Sequence, residues 1–236
     1  MIIPIIIIIL ILISVKYCYE LHNINHNSTL IQIQDPNEII IKDNLKNKSP
    51  LIVYNLISKY DSLSEITIES LIQNNPGYII NDNGRNISFS TFNEESVKQM
   101  VVFNNPHMIK DFKFNKEYDE ILKLFGDNLI CNLKHELSIF KGNHALSLLQ
   151  NKHNIQLFTQ INGTTTFYIF NPKHEYDIKN KSNHEIKKWA TKIDLKPGLL
   201  LYIPPNWHYI YEINNDSILC SSYCDNYFTF LYNMFR

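Results

Sequence analysis

The sequence predicts a mainly β fold with flanking helices, in which a mixed α/β N-terminal half leads into a sandwich or barrel of short strands. Three observations carry that reading. From about residue 128 onward, short apolar stretches follow one another at the spacing of strands. Turn sequences separate them, among them Asn162-Gly163, Lys196-Pro197-Gly198 and Asn214-Asn215-Asp216. Before residue 128, runs with helical spacing mix with strand-like ones. The chain has 236 residues, 44% of them hydrophobic, which is enough for one well-buried core.

The first 15 residues, MIIPIIIIILILISV, are apolar except for Ser14. Crossing a bilayer takes about 20 residues, so the run better suits the apolar region of a secretory signal. No Lys or Arg precedes it and no small-x-small cleavage site follows it. Residues 1–19 are therefore read as a signal peptide or an uncleaved signal anchor. Either implies the secretory pathway, in the ER lumen or outside the cell. Asn-x-Ser/Thr sequons then matter, at Asn27, Asn47, Asn86, Asn162, Asn180 and Asn215, with Pro50 behind Ser49 disfavouring Asn47. The cysteines are Cys18, Cys131, Cys220 and Cys224, which is no disulfide scaffold. On a strand, Cys220 and Cys224 share a face but lie about 13 Å apart, beyond bridging reach. Cys131 pairs with either only if their strands are neighbours; free thiols are the other reading. A net charge of −1 gives nothing to steer nucleic acid.

Residues 20–36 are polar and rich in Asn and His, and read as a linker ahead of a single domain over 37–236. NEIIIKD (37–43) and PLIVYNL (50–56) read as strands. SEITIESLIQNN (64–75) reads as a short helix, with Ser62 and Glu65 in a capping-box pattern. GYIIND (77–82) is a strand and FNEESVKQMV (92–101) a helix. NKEYDEILKLFG (115–126) is a further helix that ends at Gly126. The β core runs from about 128 to 224 through NLICNLK, ALSLLQ, NIQLFTQI, TTTFYIFNP, KKWATKIDL, GLLLYIPP, HYIYEI and SILCSSYC. Asn162-Gly163 between two alternating runs is the signal of a type I′ hairpin. The aromatic tail DNYFTFLYNMF reads as a helix or strand packed on the core, and Trp189 and Trp207 read as core residues.

Pieces of this half also occur in a familiar order. FTQINGTTTFYIFNP is similar to a Gln-(Ile/Val)-x-Gly segment followed by a strand ending in Pro. IDLKPGLLLYIPPNWHYIYEI is similar to a Pro-Gly-Asp turn, a Tyr-Ile-Pro strand and a Trp-x-His strand, and PLIVYNL to an entry strand. On these residues the chain resembles the JmjC-like, cupin-like family of Fe(II)/2-oxoglutarate dioxygenases, in its hydroxylase-like branch, over roughly residues 128–224. The resemblance implies a double-stranded β-helix (jelly-roll or cupin) barrel. It also implies iron held by a His-x-Asp/Glu pair and a distant His, with a basic residue gripping 2-oxoglutarate. The paired ligands sit one residue apart because alternate residues of a strand share a face.

Counted back from Gly163 by the family's spacing, the His position falls on Gln150 and the carboxylate position on Lys152. Gln is a poor neutral ligand, and a protonated Lys brings positive charge to the place of a dication. Like charges about 4 Å apart repel by several kcal/mol at moderate dielectric. The distal His falls on Tyr209, with His208 one residue early, and a slip of one residue turns a side chain to the other face of its strand. The 2-oxoglutarate lysine falls near Thr165, and Leu199 stands where Asp follows Pro-Gly. No His-x-Asp or His-x-Glu occurs anywhere in the chain; His135-Glu136, His174-Glu175 and His184-Glu185 are adjacent pairs.

The resemblance and these departures together imply a catalytically degenerate JmjC-like domain with a binding or structural role and no cofactor. Gln150, Lys152, Thr165 and His208 would line its remnant pocket. A buried ammonium needs a partner, so Lys152 points to a small carboxylate or a protein as ligand. Two other readings stand beside it. One is an active Fe(II)/2-oxoglutarate-dependent protein hydroxylase with atypical ligands such as Gln150 and His208. The other is a secreted β-barrel binding module outside the family. No Gly-rich phosphate loop, Cys-x-x-Cys pair or Gly-x-Ser-x-Gly elbow offers a different chemistry.

Overall fold

The computed structural model describes residues 2–22, 29–64, 66–82, 85–94, 99–126, 130–179 and 181–235. The strands are β1 (Ile31–Ile33), β2 (Leu51–Val53), β3 (Ile79–Asp82), β4 (Arg85–Ser88), β5 (Met100–Asn105), β6 (Ile130–Lys141) and β7 (His144–Ala145). They continue with β8 (Leu149–Gln150), β9 (Ile155–Asn162), β10 (Thr165–Phe170), β11 (Thr191–Leu195), β12 (Leu200–Ile203), β13 (His208–Ile213) and β14 (Ser217–Asn226). The helices are α1 (Ile2–His22), α2 (Glu38–Lys46), α3 (Asp61–Ser64), α4 (Ile68–Asn74), α5 (Pro106–Asp111), α6 (Asn115–Phe125), α7 (Glu175–Ile178), α8 (Asn183–Ile186) and α9 (Tyr227–Phe235).

The fold is mixed α/β, and most strands lie in two sheets. The larger has the order β1-β2-β12-β9-β14-β6-β5; the smaller has the order β11-β10-β13-β7, with β8 also paired to β13. Strand alternation decides what each face buries. On β13, Tyr209, Tyr211 and Ile213 turn inward to meet Phe140, Phe158, Leu201 and Leu219 of the larger sheet. Ile210 turns outward to Ile178 and Ile186 of α7 and α8. The outer face of the larger sheet carries Leu137, Ile139, Leu157 and Cys220, and packs on the apolar stripes of α2, α4, α5 and α6. Helix α6 contributes Tyr118, Ile121, Leu122 and Phe125 and stops at Gly126. Helix α9 lies against β6 and β14.

Several expectations are corrected. The strands do not close into a barrel, because β1 and β5 end one sheet and β11 and β7 end the other. Side-chain packing, not a hydrogen-bonded ladder, joins the two. Asn162-Gly163 is no hairpin, since β9 and β10 belong to different sheets. Only Gly163 has a positive φ, 73°, whereas a type I′ turn needs one at both central residues. A side chain there would meet the carbonyl oxygen of Asp216 at 2.3 Å, so the chain crosses between sheets at a point only glycine fits.

The run 37–43 is a helix. The Asn37 side chain accepts from the Ile40 amide, and one turn later Ile41 is buried while Ile39 stays exposed. Helix α4 starts at Ile68 under a Thr67/Ser70 capping box, with Ser62 in the separate α3 and Glu65 outside the described residues. Of the helix expected over 92–101, Phe92 and Asn93 end a 3₁₀ turn, 95–98 lie outside the described residues, and Met100 begins β5. Within 20–36, Ile31–Ile33 is not linker but a strand paired in parallel with β2. Trp207 is core, and Trp189 is half-buried. Among the described residues no helix is long and apolar enough to cross a membrane.

Candidate binding cavity between the sheets

Five strands and the segment between β7 and β9 border a cavity of about 410 Å³ at one end of the space between the sheets. Strand β6 supplies Glu136, β14 supplies Ser221 and Tyr223, β9 supplies Gln156 and Phe158, and β13 supplies Tyr209 and Tyr211. Leu149, Gln150, Lys152 and His153 border it from the connecting segment, and Phe103 and Asn104 from β5. The register explains the grouping. Glu136 is the cross-strand partner of Ser221, Gln156 that of Tyr223, and Leu149 that of Tyr209. Directly opposed residues share a face.

Glu136 is the one carboxylate among the lining residues, and it is half-buried. Burial pushes its carboxyl above the usual range, against the hydrogen bond from Tyr223 and the charges of Lys134 and His153. The Tyr223 hydroxyl donates to a Glu136 oxygen at 3.3 Å. Gln156 donates through Nε2 to the Tyr209 hydroxyl at 3.0 Å, while its Oε1 is buried with no hydrogen-bond partner among the described residues. Burial pushes Tyr209 and Tyr223 up to about 12, so both are protonated phenols at neutral pH. His153 stacks on the Tyr223 ring with centroids 4.0 Å apart, and its Nδ1 lies 3.1 Å from the buried carboxylate of Asp225. Asp225 also accepts from the Asn154 amide and from Asn132.

Gln150, Lys152 and Tyr209 all border this cavity, whereas Thr165 and His208 do not. His208 is the cross-strand partner of Gln150 and lies on the face of β13 opposite to Tyr209. Thr165 is fully buried on β10, opposite Ile213 and two residues before Phe167, and its Oγ1 has no hydrogen-bond partner among the described residues. Lys152 is exposed at the cavity's edge. The demand that a buried ammonium makes for an anion therefore does not arise there. Of the sequons, Asn47, Asn86 and Asn215 are exposed and Asn162 is half-buried; Asn27 and Asn180 lie outside the described residues. Cys131, Cys220 and Cys224 are in no disulfide, the first exposed and the other two buried.

A second polar group on the same strands was not foreseen. His135 Nδ1 lies 2.8 Å from Ser222 Oγ, and its Nε2 lies 2.9 Å from Asp119 Oδ1 on α6. The residue types are those of a nucleophilic triad, but Ser222 is buried on the helix-covered face and does not border the cavity. The group fastens α6 to the sheet. Ser-His-Asp residues this far apart in sequence carry no spacing signal.

The iron that the resemblance implies does not suit the residues present. An amide, an exposed ammonium and a phenol that keeps its proton are not a ligand set for Fe(II). Among the described residues no group of three or more His, Cys, Asp or Glu is placed to hold a metal ion. No protein-family model matches the chain, and no curated protein is similar to it.

Proposed function

We propose that this chain is a JmjC-like, cupin-type domain on a double-stranded β-helix, catalytically degenerate, with a binding or structural role. The strand order supports the fold. Strands β12-β9-β14-β6 and β11-β10-β13-β7 neighbour one another in two sheets that pack across a shared core, and the chain passes between the sheets at nearly every turn. That winding suits a jelly roll. A fold does not fix a function, so the functional part rests on the cavity. The observation that carries it is that the family's ligand positions border the cavity as Gln150, Lys152 and Tyr209, which leaves a lined space without iron ligands. The apolar leader supports entry into the secretory pathway.

Thermal unfolding of the full-length protein with Mn(II) or anaerobic Fe(II), with and without 2-oxoglutarate, tests this reading. A ligand that binds the native state raises Tm. The expected result is no shift with either addition. A saturable shift at micromolar metal, lost in His208→Ala, sinks the proposal in favour of an active oxygenase, for which Gln150 and His208 are adjacent across β8 and β13.

A further inference from the structure

We infer that the cavity takes an organic cation bearing N–H donors, a primary ammonium or a guanidinium, with its charged end on Glu136 and Gln156. This deepens the binding role proposed above and rests on it. The polar groups inside ask for a donor. Glu136 is a carboxylate on the cavity wall with hydrogen bonds from Tyr223 and Ser221, which leaves part of its acceptor capacity open. Gln156 lines the same cavity and is 8% exposed, and its buried Oε1 has no hydrogen-bond partner among the described residues. Buried acceptors are rarely left unpaired unless a ligand or water meets them.

The walls ask for positive charge. Phe103, Phe158, Tyr209 and Tyr211 line the cavity with aromatic rings, whose faces attract cations. The basic side chains described beside the cavity are engaged elsewhere or face water. His153 is held by Asp225 and stacked on Tyr223, Lys134 lies over the Tyr223 ring at 6.0 Å, and Lys152 is exposed. An anionic ligand would face a carboxylate and an amide oxygen that have no proton to give. The volume of about 410 Å³ falls within the range of small-molecule sites, about 300–1,000 Å³.

Calorimetric titration of the full-length protein with butylamine and agmatine, against butanol and butyrate as neutral and anionic probes, tests the inference. The amines should bind saturably, at least tenfold tighter than butanol, with no binding of butyrate. Glu136→Gln, of equal size, should lose tenfold or more of amine affinity with an unchanged circular dichroism spectrum. Phe103→Leu, at a partly exposed wall position, should lose a few-fold. Absent amine binding, butanol or butyrate binding equal to that of the amines, or unaltered affinity in both variants overturns it. A blocked peptide with a single Lys separates the sources: binding of the peptide as well as butylamine assigns a partner's side chain, and binding of butylamine alone assigns a free amine. A metal response lost in His208→Ala refutes the degenerate-site reading whatever the amines do. Absent amine binding in a protein unresponsive to metal refutes this inference alone.

Discussion

Strands β6 and β14 carry two different polar chemistries on their two faces. Outward, Ser222, His135 and Asp119 form a closed chain under helix α6. Inward, one residue along, Glu136, Ser221 and Tyr223 look into the cavity, where Gln156 keeps an unmet acceptor. The period of two that alternates a strand's side chains places both on one ladder. A satisfied buried network fixes an element in place, whereas a partly satisfied one is left poised for something else. The outer group therefore reads as architecture and the inner group as a site.

The largest expected effect comes from the inner face, at a residue that packs behind the cavity wall without lining it. Phe140 is 1% exposed, and its ring meets those of Phe103, His144 and Tyr211. Phe140→Ala should cost about 3–5 kcal/mol through lost burial and the void left behind. Urea unfolding measures it. A cost below about 1 kcal/mol would mean that the inner space is loosely filled throughout and that the cavity is nothing special.

The outer network comes next. His135→Ala leaves Ser222, which is 2% exposed, with only a weak contact to Cys220 Sγ at 3.9 Å, and removes the contact that ties Asp119 to the sheet. An unpaired buried hydroxyl costs about 1–3 kcal/mol. The network also has a pH signature. Burial lowers the His135 pKa from its usual value, and the hydrogen bond and charge of Asp119 only partly offset that. Below about pH 6.5 the unfolded chain then binds a proton that the folded chain resists, so stability falls as pH drops from there through the lowered folded value. His135→Gln should flatten that acid-side slope. An unchanged slope in unfolding midpoints between pH 7 and 5 would remove His135 as its source.

How much of this was legible in the sequence follows the same division between periodicity and partnership. The strands β9 to β14 and helix α6 announce themselves through spacing and turn residues, because alternation and caps are local. The run Glu38-Ile39-Ile40-Ile41 misleads, since consecutive isoleucines suggest a strand while the cap at Asn37 and the burial of Ile41 make a helix. Asn162-Gly163 shows the converse limit: a tight turn is local, but which sheet the next strand joins is not. Family spacing brings Gln150, Lys152 and Tyr209 to the cavity, yet it places neither His208 nor Thr165 there. Gln156 carries no signal in the sequence, and Glu136 shows there only as the neighbour of His135. Strand alternation puts them on an inner face but cannot tell whether that face meets packed side chains or open space.

The smallest effect is the most discriminating. Burial raises the Glu136 pKa, so the charged form is the disfavoured one in the folded protein. Its contribution to stability is fully present below the unfolded carboxyl value of about 4.3 and is lost as pH rises through the raised folded value. Glu136→Gln removes that penalty and keeps an acceptor for the Tyr223 hydroxyl. At pH 7 its stability should be unchanged or raised by no more than about 1 kcal/mol. His135 and Glu136 are neighbours in sequence, and they tilt stability in opposite directions with pH because burial disfavours the charged form of each, which for the imidazole forms at low pH and for the carboxyl at high pH. Denaturant midpoints of Glu136→Gln across pH 4 to 7 measure the second tilt. A clear loss of stability at neutral pH would mean that the carboxylate is a structural member of the wall. The contrast between the two faces would then fail at its most exposed point.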